Sequence, residues 1–258
     1  MMTLGIIGTG MIGGSIGIRA RELGWRVLGF DANPEAALEA RVRGAIEEVA
    51  MREEIDERAD VIVIAAHIAG TIAEIERLRF TQPRKARLII DISSVKAPVV
   101  EAARGLTNFV ATHPMAGRER SGPSAAARDV FEGKTWLYIP TGDRELDWRA
   151  VEFIGAFGAI PVEADAIEHD RIVAVTSHLP QVLATLFAAR LSRPEVQIDA
   201  FMGPTAKELL RLSRSSMEMW RDILNANREN IGVELRALAH DLQEAAAALE
   251  SERLPVAF

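Results

Sequence analysis

Residues 4 to 13 read Leu-Gly-Ile-Ile-Gly-Thr-Gly-Met-Ile-Gly, an apolar run that ends in glycines spaced as Gly-x-Gly-x-x-Gly. In a turn from a strand into a helix, Gly8 permits the sharp bend, and Gly10 lets the backbone come close to a phosphate. Gly13 allows the helix to pack against the sheet. A pyrophosphate then binds the free N–H groups at the helix N-terminus. The spacing therefore predicts a dinucleotide-binding turn.

The sequence that follows this turn supports the same interpretation. A helix is predicted from Met11 to Leu23, and a second strand from Trp25 to Phe30 ends at Asp31. Asp31 follows Gly13 by 18 residues, close to the distance of about 20 at which a carboxylate binds the ribose. A carboxylate there repels a 2′-phosphate, and Ala32-Asn33-Pro34 brings no Arg, so we predict NAD rather than NADP. The residues assigned to the cofactor are Gly8, Thr9, Gly10, Met11, Ile12, Gly13, Asp31, Ala65 and Ala66.

The composition excludes several functional classes. The chain has 258 residues and a formal net charge of −7, and it has no basic run, so we expect no nucleic-acid partner. Cysteine is absent, which excludes disulfides, a thiolate nucleophile and a zinc site built on Cys, and we assign no metal. The chain shows no leader-like segment and no run of about 18 uncharged apolar residues. We therefore predict a cytoplasmic protein without membrane contact.

The first part of the chain alternates strand-like and helical stretches. This alternation predicts an α/β domain over residues 1–164 with a Rossmann-type, doubly wound parallel sheet. The strands predicted after the second one are Asp60 to Ala66, Arg87 to Asp91, Phe109 to Ala111, Thr135 to Ile139 and Ile160 to Glu163.

Long helical stretches predict an all-α C-terminal domain over residues 165–258. The stretches run from Ile167 to Leu191, from Ala200 to Ser213 and from Met217 to Ala248. Because helices this long and apolar often pack against a copy of themselves, we predict a homodimer through the C-terminal helices. Packing against the sheet of the same chain is the alternative.

Binding a dinucleotide does not specify a reaction, so the catalytic residues have to be found separately. The Tyr-x-x-x-Lys pair of short-chain dehydrogenases is excluded, because Gly142 stands four residues after Tyr138, which is the one tyrosine of the chain. The four lysines do not lie in a pattern typical of an acid/base lysine. Histidine remains as the candidate proton acceptor.

Five histidines are candidates for that role. His113 is favoured, because it follows a predicted strand at the edge where an open α/β sheet exposes its ligand crevice. His178 lies in the first long helical stretch, and His67 follows the third strand without an assigned role. His169 and His240 are predicted to be surface helix residues.

Four blocks of sequence, in this order along the chain, carry a resemblance to a known family. They are Asp91-Ile92-Ser93-Ser94-Val95-Lys96, Thr112-His113-Pro114-Met115-Ala116-Gly117 with its continuation to Gly122, His169-Asp170 followed by Ser177-His178-Leu179-Pro180, and Arg211 ahead of Met219-Trp220-Arg221-Asp222-Ile223. Together they resemble the signatures of prephenate and arogenate dehydrogenases, the oxidoreductases of tyrosine biosynthesis. The resemblance covers about residues 4 to 231.

This resemblance implies oxidative decarboxylation of prephenate to 4-hydroxyphenylpyruvate, with hydride transfer to NAD. It implies that His113 is the general base for the ring hydroxyl and that Ser94 binds that hydroxyl or orients His113. It also implies that Arg211 binds a substrate carboxylate, whereas an ion pair between Arg211 and Glu208 is the alternative. The further substrate contacts that it implies are His178, Gln181, Gly117 and Glu119.

More than one substrate and more than one activity are consistent with the sequence. Gln181 stands where many prephenate-using members carry a second histidine, which leaves arogenate or dual use open, because arogenate carries less net negative charge. A dehydrogenase for an aliphatic hydroxy acid and a non-catalytic NAD-sensing module are two further hypotheses. The sensing module gives no reason for His113, Ser94 and Arg211 to occur together.

Overall fold

A computed structural model of the chain describes residues 1–81, 85–117, 122–192 and 202–251. It divides into two compact units, Met1–His169 and Asp170–Phe258. The division falls after His169, and the boundary expected after residue 164 stays a prediction.

The first unit contains a six-stranded parallel sheet. Its strands are β1 (Thr3–Ile7), β2 (Arg26–Phe30), β3 (Glu48–Val49), β4 (Val61–Ile64), β5 (Leu88–Asp91) and β6 (Phe109–Val110). The helices that connect them are α1 (Met11–Glu22), α2 (Pro34–Val42), α3 (Arg52–Arg58), α4 (Ile68–Thr81) and α5 (Ala97–Ala102). The spatial order is β3-β2-β1-β4-β5-β6, so the chain changes direction across the sheet between β1 and β4. The predicted Rossmann-type fold is confirmed, and ligands bind such sheets at this switch point.

The central strands β4 and β5 are rich in branched apolar residues, which explains why they lie in the core of the first unit. Every residue of β4 and β5 is buried, as expected for parallel strands that are covered by helices on both faces. Beside this core, an aromatic cluster of Phe131, Trp136, Phe153 and Phe157 packs with ring centroids 4.6 to 6.3 Å apart. This cluster supports the second, smaller sheet of the unit.

The small sheet is the main difference from the predicted topology. It contains β7 (Thr112–Pro114), β8 (Thr135–Tyr138) and β9 (Ile160–Glu163), with α6 (Arg144–Ala156) between the last two. β7 and β8 are antiparallel, and β8 and β9 are parallel. The chain changes partner at Ala111, because β6 pairs with β5 whereas β7 pairs with β8. The later strands therefore do not extend the parallel sheet.

The second unit is helical, as predicted. A helical stretch that begins at Ala166 contains α7 (Ala166–Val173), a π-helical turn (Ala174–His178) and α8 (Leu179–Leu191). The helices α9 (Pro204–Ser213), α10 (Met217–Ala226) and α11 (Arg228–Glu250) follow. The stretch predicted as one helix from Met217 breaks at Asn227, whose side-chain amide donates to the Asp170 carbonyl oxygen at 2.7 Å. This long-range hydrogen bond fixes Asn227 outside helical geometry.

One helical stretch is more apolar than predicted from the sequence. The stretch Ala166–Leu191 is long and apolar enough, by length and composition alone, to cross a membrane, with a mean hydropathy of 1.6 in its most apolar window. Of that window, 28% is buried within the chain. The core helix of a soluble protein meets the same criterion.

Candidate active site

The glycine-rich turn joins β1 to α1 and has room for a ligand at one position. Gly8 has a φ of +99°, and a Cβ there would lie 2.3 Å from the Ala65 carbonyl oxygen. A Cβ on Gly13 would lie 1.9 Å from the Gly8 carbonyl oxygen. At Gly10, by contrast, a Cβ would meet no described atom within 4 Å, and in the described ranges no side chain caps the helix that begins at Met11. The turn therefore fits a pyrophosphate that binds the first N–H groups of α1.

Asp31 is held against this turn at the end of β2. Its Oδ2 accepts hydrogen bonds from the Thr9 N–H at 2.7 Å and the Thr9 hydroxyl at 3.1 Å, and its Oδ1 accepts one from the Asn33 N–H at 2.9 Å. The carboxylate thus has a fixed orientation beside the pyrophosphate position, where a ribose would follow. Ala65 and Ala66 follow β4 and adjoin the same turn. The cofactor contacts of these residues stay predictions.

His113 lies in β7 and contacts a second histidine. Its Nδ1 lies 2.9 Å from Nε2 of His169, and the two rings meet edge to face with centroids 5.2 Å apart. His169 is only 3% exposed, so the prediction of a surface helix residue is wrong. Ala166, His169 and Val173 are all buried and are spaced three and four residues apart, which places them on one face of α7. That spacing is the sequence signal that could have identified His169.

A buried polar network holds the residue before His113 in place. This anchor network consists of Asp91, Lys96, Thr112 and Trp136. The fully buried Lys96 donates through Nζ to Asp91 Oδ2 and to the Thr112 carbonyl oxygen, both at 2.6 Å. Asp91 Oδ1 accepts the Thr112 N–H at 3.0 Å, and Trp136 Nε1 donates to the Thr112 hydroxyl at 2.9 Å. Lys96 and Asp91 therefore hydrogen-bond the carbonyl oxygen and the N–H of Thr112, respectively.

The role of Lys96 as an anchor was not predicted, because the lysines were considered only as acid/base groups. The signal that could have found it is an aspartate five residues earlier, at the end of a buried strand. A buried lysine needs a carboxylate partner, and Asp91 is in reach.

Three further residues of the first unit are expected at the site, Ser94, Gly117 and Glu119. Ser94 follows β5 and is half-buried, in a turn where the Ser93 N–H donates to Asp91 Oδ2 at 2.8 Å. Its contact with substrate or with His113 stays a prediction. Gly117 is exposed. Glu119 lies outside the described residues.

Two expected substrate residues of the second unit are buried and hydrogen-bonded. His178 is 1% exposed, its Nδ1 lies 3.1 Å from Nδ2 of Asn227, and its ring packs edge to face against Trp220 with centroids 5.9 Å apart. The Gln181 side chain donates through Nε2 to the Leu212 carbonyl oxygen at 3.1 Å. Their contacts with substrate stay predictions.

Arg211 makes the ion pair that was the alternative to substrate binding. Its Nε lies 3.1 and 3.0 Å from the two carboxylate oxygens of Glu208, three residues earlier on α9. The hydrogen bond from Arg211 lowers the pKa of Glu208. The Arg211 side chain is 38% exposed, and substrate binding by Arg211 stays a prediction.

Comparison with known proteins assigns both parts of the chain to one family. Residues 16–157 match the family model described as prephenate dehydrogenase, nucleotide-binding domain, and residues 165–256 match the model described as prephenate dehydrogenase, dimerization domain. The chain is 36% identical over 252 residues to a probable prephenate dehydrogenase, NovF, of Streptomyces niveus, covering 94% of this chain and 67% of that protein. It is 33% identical to the prephenate dehydrogenase of Bacillus subtilis, covering 89% of this chain and 65% of that protein.

A solved structure agrees with the fold of the whole chain. The prephenate dehydrogenase from A. aeolicus, in complex with hydroxyphenyl propionate and NAD+, superposes with a TM-score of 0.89 at 26% identity. The match covers 98% of this chain and 92% of that one. By contrast, the chain spans about two thirds of the length of the two curated relatives.

Proposed function

Because the chain belongs to the prephenate dehydrogenase family, we propose that it catalyses the NAD-dependent oxidative decarboxylation of prephenate to 4-hydroxyphenylpyruvate, in tyrosine biosynthesis. One observation carries this assignment: a glycine turn that fits a dinucleotide and a histidine paired with a second histidine occur in the same compact unit. The A. aeolicus relative, which was solved with NAD+, supports the choice of dinucleotide.

The proposed chemistry needs one proton acceptor. Bound NAD supplies the hydride acceptor for the hydroxyl-bearing ring carbon. His113 takes the hydroxyl proton at Nε2, because its Nδ1 is engaged by His169. The O–H bond breaks as the new carbonyl forms, and the bond from the ring to its carboxylate then breaks to release CO2. Those electrons make the ring aromatic, and the phenolate oxygen takes the proton back from His113.

A panel of substrates tests this proposal. Purified protein with prephenate and NAD should form NADH and 4-hydroxyphenylpyruvate in equal amounts. The panel also contains arogenate and an aliphatic 2-hydroxy acid, each with NAD and with NADP. Turnover of the hydroxy acid alone would contradict the proposal, and dinucleotide binding without any turnover would favour an NAD-sensing module.

Arogenate or dual use is the second candidate function, and Gln181 favours it. This side chain is neutral, and its amide nitrogen is committed to the Leu212 carbonyl oxygen. It therefore supplies no cation for a dianionic substrate. A kcat/KM with arogenate at least equal to that with prephenate would identify the chain as a cyclohexadienyl or arogenate dehydrogenase.

Asp31→Asn tests the dinucleotide preference. The amide keeps an oxygen for the Thr9 N–H but removes the charge that repels a 2′-phosphate and binds the ribose. We expect the ratio of kcat/KM with NAD to kcat/KM with NADP to fall about tenfold, the difference between a charged and a neutral hydrogen bond. Steady-state kinetics with both dinucleotides measure this ratio. Glu35→Gln, at an exposed acid nearby on α2, is the matched control and should leave the ratio unchanged.

Arg211→Ala distinguishes substrate binding from a structural ion pair. Loss of a two-pronged carboxylate contact should raise KM for prephenate about tenfold or more and change kcat much less. Glu208→Gln removes the partner but keeps the guanidinium, so KM should not rise. Arg214→Ala, at an exposed arginine just beyond α9, is the control. A normal KM in Arg211→Ala would assign Arg211 to the ion pair alone.

We also propose a soluble cytoplasmic homodimer that assembles through the C-terminal helices. Residues 165–256 match a dimerization domain. Large apolar side chains are exposed on α8 and α11 of the isolated chain, among them Leu186 and Leu242. Leu186→Lys combined with Leu242→Lys should convert the dimer to a monomer in light scattering. Phe80→Lys, at an exposed apolar residue of the first unit, should leave the dimer intact.

A further inference from the structure

The buried His169 contacts the imidazole of His113 through a ring nitrogen, and its backbone is held at the start of α7. Its Nε2 lies 2.9 Å from Nδ1 of His113. Its backbone N–H donates to the Asp165 carbonyl oxygen at 2.8 Å, and Asp165 Oδ1 accepts the Ile167 and Glu168 N–H groups at 2.9 and 3.0 Å. Asp165 thus caps the first turn of α7 and fixes the backbone that carries His169. The imidazole is therefore placed by a capped helix.

A ring-to-ring hydrogen bond requires one proton between the two nitrogens, and this restricts the tautomers. If His169 donates, Nδ1 of neutral His113 must accept, and His113 then carries its proton on Nε2. In that form Nε2 has no lone pair with which to take a proton from substrate. If His113 donates instead, its Nε2 keeps the lone pair and His169 is the neutral acceptor. Only the second arrangement gives a base.

We propose that His169 is a positioning residue that accepts the Nδ1–H of His113 and so holds His113 in the tautomer with a basic Nε2. This rests on the proposed function, in which His113 takes the hydroxyl proton. When the substrate O–H bond breaks and the N–H bond forms at Nε2, the imidazolium of His113 still donates to His169 through the same contact. A neutral imidazole here holds the position that an aspartate holds in a Ser-His-Asp triad.

Two substitutions of His169 separate an acceptor from a packing residue. His169→Gln places an amide oxygen near the former Nε2, and His169→Leu keeps the bulk without an acceptor. We expect His169→Leu to lower kcat about 10- to 100-fold with KM for prephenate within about twofold. His169→Gln should keep kcat within about threefold of the wild type. His240→Leu, at an exposed histidine of α11, is the matched control and should change neither constant.

A double variant tests whether His169 acts through His113. In the His113→Asn background there is no base to orient, so His169→Leu should cause no further loss of kcat. Equal losses in His169→Leu and His169→Gln would overturn the proposal. Independent, multiplying losses in the double variant would also overturn it, because they indicate a structural role.

Nitrogen NMR gives a readout that does not depend on turnover. At a pH where both rings are neutral, 15N shifts of the wild type should show His113 protonated at Nδ1 and unprotonated at Nε2. His169→Leu should shift that tautomer toward the Nε2–H form. A wild-type His113 protonated at Nε2 would overturn the proposal even in an active enzyme. If the protein turns over neither prephenate nor arogenate, the proposed function fails, and the NMR result still decides the tautomer.

Discussion

His113→Asn is expected to lower kcat for prephenate by about 10² to 10⁴-fold and to leave KM within about twofold. Asparagine fits in the space of the imidazole and can still reach His169, but its amide cannot take a proton from the ring hydroxyl. The hydride then has to leave from a neutral alcohol. Binding should be little affected, because the substrate carboxylates are assigned to other residues. Initial rates of NADH formation at saturating NAD measure both constants.

The control for this variant is His240→Asn, at an exposed histidine paired with Glu244, which should leave both constants unchanged. The thermal unfolding midpoint of His113→Asn should also match that of the wild type. A kcat equal to that of the wild type would remove His113 from the mechanism, whereas a normal kcat with a raised KM would make it a binding residue.

Lys96→Met should have the largest effect on stability. It removes the cation from a site where the Lys96 and Asp91 side chains are both 0% exposed, so it leaves an uncompensated carboxylate inside the first unit. Breaking a buried pair in this way typically costs about 3 to 5 kcal/mol. Urea unfolding followed by fluorescence measures the loss as a lower midpoint. The kcat of the folded fraction should also fall, because Thr112 loses one of its anchors next to His113.

Two further variants make this prediction specific. Lys85→Met breaks a surface pair with Asp60 at 3.2 Å, which should cost about 0 to 1 kcal/mol. Asp91→Asn combined with Lys96→Met removes both charges and should recover part of the stability that Lys96→Met loses. A loss in Lys96→Met no larger than that in Lys85→Met would contradict the assignment of the anchor network.

The sequence predicts those parts of the fold that depend on interactions between residues close together in the chain. The turn from Gly8 to Gly13 depends on backbone space within a few residues, and the helices and strands follow from apolar spacing. The small sheet could not be predicted in this way. Whether the chain keeps its partner strand after Ala111 depends on hydrogen bonds to β8, more than 20 residues away. The break at Asn227 has the same kind of cause, a hydrogen bond to Asp170.

In the candidate site, too, local features could be predicted from the sequence, whereas contacts between distant residues could not. His113 lies in a recognisable block of sequence, so it could be chosen as a candidate, but its place within β7 of the small sheet could not be predicted. The contact with His169 could not, because it depends on which face of α7 packs inward. The role of Lys96 could be predicted only in part for a related reason: Asp91 lies five residues earlier, but the burial of both side chains depends on how the surrounding elements pack. The ion pair of Arg211 with Glu208 could be predicted as an alternative, since residues three apart on a helix are neighbours.

The π-helical turn Ala174–His178 determines which way the residues after it face around the helical stretch. A π turn takes up one residue more than an α-helical turn, because its hydrogen bonds join residues five apart rather than four. Straightening this turn to α-helical geometry with all its residues kept would rotate everything after it by about 100°. Gln181 and Ala184, both buried, would turn away from their partners. A design that straightens the helix without removing a residue would therefore lose the second unit's packing.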